Sequence, residues 1–83
     1  MSESKKVLIV DDDPDFVEGI KAILDGGGYE TEVAYNPKDG WDLLKGRHYD
    51  LLCLDIMMGR GAEGVMMARK IRKDAVLREM PVL

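Results

Sequence analysis

Apolar positions in this chain come in short solid blocks and in helical stripes, with very little strict alternation. Val7-Leu8-Ile9-Val10 is a continuous, β-branched run that stops at Asp11, as expected of a parallel strand covered on both faces. Asp13-Pro14 then reads as a helix cap and first helical residue, and Phe16, Val17, Ile20, Ile23 and Leu24 recur at helical spacing as far as Gly26-Gly27-Gly28. Thr31 to Tyr35 has strand character, and Asn36-Pro37 repeats the cap-then-proline signal ahead of a helix that turns Trp41, Leu44 and Leu43 inward and closes near Gly46. A second solid block, Leu51-Leu52-Cys53-Leu54, again ends on an aspartate, Asp55. After the glycine-bearing loop Gly59-Arg60-Gly61, a third helix is predicted from about Ala62 to Lys73, with Val65, Met66, Ala68 and Ile71 as its buried stripe. Met80-Pro81-Val82-Leu83 reads as the opening of a fourth strand.

Strands and helices in strict alternation predict an α/β fold around a parallel sheet. Parallel crossovers are right-handed in about 98% of cases, so if strands two and three flank strand one, helices one and two cover opposite faces. Strand one is then the switch point of the sheet, and ligands of open α/β sheets bind outside the carboxyl ends of the strands there. Asp11, Asp12 and Asp55 all fall at those ends. Neighbouring strands run ~4.8 Å apart, so the three carboxylates can converge on one cation, whereas a sequential 1-2-3 order would roughly double the separation.

Eighty-three residues allow one domain, expected to span 1–83, and a chain of this length buries only roughly 60 to 65% of its unfolded surface. A net charge of −4 gives the chain no attraction to nucleic acid or to an anionic membrane surface, so neither is expected as a partner. No apolar run approaches the ~20 residues of a membrane span and the N-terminus lacks a signal-peptide core, so a cytoplasmic location is expected. The single cysteine, Cys53, excludes an internal disulfide and is expected to be packed, and no Cys/His cluster has zinc spacing. His48 is expected at the surface, Trp41 in or near the core, and Met57, Met58, Met66 and Met67 in packing rather than in a partner groove.

The chemistry therefore rests on carboxylates. Clustered like charges repel and raise one another's pKa, and a bound divalent cation offsets that cost. Oxygen-only ligands suit Mg2+, which takes one or two protein carboxylates together with a phosphate oxygen. Asp55 could then attack phosphorus while Asp11 and Asp12 hold the ion. The plainer reading, that these aspartates only cap a helix and end strands, remains open on spacing alone.

Val7 to Asp13 and Tyr49 to Met58 resemble the two acidic signatures of response regulator receiver domains, in family order and spacing, and the resemblance covers essentially the whole chain. It implies a doubly wound, flavodoxin-like parallel sheet of strand order 2-1-3-4, ending before strand five. It implies a phosphoprotein of a two-component phosphorelay, with Asp55 as phosphoacceptor and possible self-phosphorylation and autodephosphorylation rather than conventional turnover. Asp12 would ligate Mg2+ or Mn2+ directly, Asp11 through water, and the Met57 backbone carbonyl would be a further ligand. The partner implied is a histidine kinase or phosphotransfer protein. Asp13 matches the neighbouring loop position and reads first as a helix cap.

The match has gaps. Gly59 stands where the family has proline, and Glu63-Gly64 where it has Asp-Gly. The family has a Ser or Thr after strand four and a Lys after strand five; the 83 residues stop short of both positions, and Lys5 and Lys6 are poor substitutes for that lysine. The chain is therefore expected to be incomplete at its C-terminal end, with an open sheet edge suited to homodimer formation. The alternative is a phosphorylation-deficient receiver serving as a dimerisation or docking module. A haloacid dehalogenase-like phosphatase fits less well, because Asp15 stands where its pattern needs Thr or Val. An EF-hand through positions 11, 13 and 15 meets Phe16 where glycine is required and Ala22 where the bidentate glutamate belongs. A dinucleotide fold fails because Gly26 to Gly28 follow helix one rather than strand one.

Overall fold

A computed structural model describes residues 5–55 and 63–82. Its elements, in chain order, are β1 (Lys6–Val10), α1 (Pro14–Gly26), β2 (Glu30–Ala34), α2 (Pro37–Gly46), β3 (Leu51–Leu54), α3 (Glu63–Lys73) and a short 3-10 turn, Leu77–Glu79. The three strands form one parallel sheet in the order β2-β1-β3. Val82 makes a parallel bridge to Leu52, and the Leu52 N–H donates to the Pro81 carbonyl at 3.0 Å. The chain thus returns on the far side of β3, where the expected order 2-1-3-4 puts the next strand.

β1 is central, and its solid apolar sequence follows from that position. Val7 and Ile9 point to one face, where Val17, Ile20 and Leu24 of α1 cover them. Leu8 and Val10 point to the other, into a larger core with Leu44 of α2, Leu52 and Leu54 of β3, and Met67 and Ile71 of α3. Helices one and two therefore lie on opposite faces, and α3 joins α2.

Both cap-then-proline signals are realised. The Asp13 carboxylate accepts from the Asp15 and Phe16 N–H groups at 3.1 and 3.3 Å, and the Asn36 side-chain oxygen accepts from the Asp39 N–H at 2.8 Å. Gly27 caps the C-terminus of α1, and Gly28 takes φ +90°, a conformation glycine adopts without strain. α2 sits so close on β1 that a Cβ at Gly40 would stand 2.8 Å from Val10 Cγ2.

Three details differ from expectation. Phe16 and Ile23 obey the helical period of α1 yet are 55% and 72% exposed, because only Val17, Ile20 and Leu24 reach the sheet. In α3 the buried stripe is Gly64, Met67 and Ile71, with Val65 and Ala68 partly covered, and Met66 is 61% exposed. Adjacent helical residues point about 100° apart, so one of two neighbouring methionines must leave the core. β2 begins one residue earlier than expected and ends at Ala34.

Candidate functional site

Asp11 and Asp55 are the first residues beyond β1 and β3, and the sheet still holds both backbones. The Asp11 N–H donates to the Ala34 carbonyl at 3.1 Å, and the Asp55 N–H donates to the Val10 carbonyl at 3.0 Å. Side-chain oxygens of Asp11, Asp12 and Asp55 lie within 4.8 Å of one another, with Asp11 buried, Asp55 half-buried and Asp12 exposed. That convergence needs β1 and β3 as neighbours, which the sheet order supplies.

The Asp13 N–H donates to Asp11 Oδ1 at 3.0 Å and so turns the Asp11 carboxylate while the Asp13 side chain caps α1. Burial pushes the Asp11 carboxyl above its ordinary value; the Asp13 N–H opposes this, and the negative charges of Asp55, Asp12 and Asp13 push it further up. No ion pair among the described residues brings a lysine or arginine onto Asp11. A buried carboxylate raised by its acidic neighbours, in an all-oxygen donor set, fits a hard divalent cation.

Among the described residues this is the only set of three or more potential ligands that gathers at one point. The alternating set 11, 13 and 15 does not gather, because Asp13 turns to its own helix and Asp15 lies in the first turn of α1. Met57 and Met58 lie outside the described residues, as does the loop containing Gly59. Cys53 is partly buried against the α1 side of the sheet, and burial raises its thiol. His48 is exposed, 3.4 Å from Asp50.

Sequence reasoning did not find the Asp13 N–H contact, which needs the turn geometry after β1. It also missed a clamp at the opposite end of the sheet. There the Tyr49 hydroxyl donates to Glu32 Oε1 and the Arg47 guanidinium donates to Glu32 Oε2, both at 2.7 Å.

Residues 7–83 match the family model of the response regulator receiver domain. The chain belongs to that family. The receiver is 34% identical to response regulator Rre1 of Synechocystis sp. over all of its own length and 36% of that protein, and 33% identical to the phosphate regulon transcriptional regulatory protein PhoB of Pseudomonas aeruginosa over 95% and 34%. It thus spans about a third of the curated relatives it matches. Among solved structures it is similar to response regulator protein TrrA of Thermotoga maritima in complex with Mg2+ and BeF, with a TM-score of 0.84 and 35% identity over 94% of this chain and 65% of that one. Receiver domains of this family belong to two-component systems, where the phosphoacceptor role is general. Among the described residues no helix is long and apolar enough to cross a membrane.

Proposed function

We propose that this receiver accepts a phosphoryl group on Asp55 from a histidine kinase or phosphotransfer protein, with Mg2+ or Mn2+ held by Asp11, Asp12, Asp55 and the Met57 carbonyl. The observation that carries the reading is the meeting of three carboxylates, from two adjacent strand ends, within 4.8 Å. The likeness to a receiver solved with Mg2+ and BeF supports the same assignment.

In the transfer an Asp55 carboxylate oxygen forms the new O–P bond as the P–N bond of a phosphohistidine breaks. The electron pair of that bond returns to the donor imidazole, which takes up a proton. When bound, the divalent cation supplies positive charge to the oxygens of the transferring group. Asp11, oriented by the Asp13 N–H, and Asp12 would hold such an ion together with Asp55, and the hydrogen-bonded backbones at positions 11 and 55 fix their spacing in advance.

Incubation with acetyl phosphate and Mg2+ should add one phosphoryl group by mass, located on Asp55 and absent in Asp55→Asn. No addition to the wild-type protein would end this proposal in favour of a docking module. Turnover of a free phosphomonoester that Asp11→Asn abolishes and Asp55→Asn does not would point to a phosphatase.

A further inference from the structure

α3 carries four cations, Arg69, Lys70, Arg72 and Lys73, against one acid, Glu63; four minus one gives +3 on a helix of a chain whose net charge is −4. Lys21, Lys38, Lys45 and Arg47 each have a carboxylate partner, but among the described residues none of the α3 cations does. Arg72 donates to the Arg78 carbonyl at 3.0 Å. The Lys70 ammonium instead lies 4.3 Å from the centre of the Trp41 ring, and Lys45 approaches the same ring at 5.5 Å.

Between α2 and α3 runs a groove of about 600 Å³ whose lining includes Pro37, Trp41, Met66 and Lys70, with Glu63 the one carboxylate among the described residues that line it. Met66, which the helical pattern assigned to packing, is exposed here beside the indole. An adaptable thioether and an aromatic face accept an apolar side chain of almost any shape. The ammonium held over that ring can donate to a carboxylate at the same spot.

We propose that the α2–α3 groove docks an acidic peptide segment of a partner protein, which sets an apolar side chain on Trp41 and Met66 and a carboxylate on Lys70. Charge selects this occupant. A long polyanion would feel the net charge of the whole acidic chain, whereas a short segment feels only the patch within a screening length of ~8 Å. The proposal goes beyond phosphoryl acceptance on Asp55 and does not depend on it.

Trp41 is the single tryptophan, so its emission reads the groove directly. Titration with a short synthetic peptide of glutamate and leucine should give a saturable change in that emission. Lys70→Glu and Met66→Glu, both exposed positions, should each weaken binding about tenfold or more with an unchanged far-ultraviolet circular dichroism spectrum. A flat titration would overturn the proposal, as would wild-type affinity in both variants. Equal or tighter binding of a glutamate and serine peptide would reduce the site to bare charge, and equal or tighter binding of oligothymidylate would assign it to nucleic acid; either result also overturns it.

Discussion

A methyl group at position 40 would collide with both branches of Val10, at 2.8 and 3.1 Å, and with the end of Met67 at 3.1 Å. Met67 can swing aside, but Val10 is fixed in the central strand just before Asp11. Gly40→Ala should therefore destabilise the protein by ~1–3 kcal/mol despite the better helix propensity of alanine, seen as a lower urea midpoint at unchanged slope. A midpoint at or above wild type would mean that α2 can lift off β1 freely. Gly40 is invisible to pattern reading, since a glycine inside a helical stretch looks like a weakness until the surface it packs on is known. The same limit applies to Met66 and Met67, adjacent and equally apolar, where only the seat of α3 on the sheet decides which is buried.

Between α3 and the 3-10 turn, Asp74 joins three elements. Its carboxylate accepts from Lys45 of α2 at 2.7 Å and from the Val76 and Leu77 N–H groups at 2.9 and 3.0 Å. These bonds, with Lys45 first, hold its pKa down to about 2 from the ordinary 3.8. A depressed carboxylate stabilises the fold fully above its unfolded value and loses that contribution as pH falls through the folded one. The stability gap between wild type and Asp74→Asn should accordingly be constant above pH of about 5 and close between about 4 and about 2. Urea denaturation across that range measures it, and a gap that widened with acid would reverse the assignment. Sequence reading placed the helices on either side of this corner but saw nothing in Asp74, whose partners lie in other elements.

Over the whole molecule the acidic end of the sheet is a stored electrostatic cost, with Asp11 raised by burial and by its neighbours. An ion that binds only the folded chain lowers that cost. Mg2+ at ten times its dissociation constant should add ~1.4 kcal/mol. In a domain of this size that corresponds to a rise of roughly 5–10 °C in melting temperature, reversed by EDTA. Asp12→Asn should blunt the rise. A melting temperature unmoved by millimolar Mg2+ would leave the cluster without the ion assigned to it.

By itself the sequence determined the order and kind of the elements, because solid apolar blocks, cap-proline pairs and glycine ends are local signals read within a few residues. Those blocks also marked Asp11, Asp12 and Asp55 as residues at strand ends. Local order does not say which strands are neighbours; that expectation came from the family resemblance, and it is the β2-β1-β3 arrangement itself that brings acids more than forty positions apart into one cluster. The tertiary structure also decided which apolar residues stay outside. Phe16, Ile23 and Met66 fit a helical stripe as well as their buried neighbours do, but burial belongs to the surface a helix rests on and not to the helix alone.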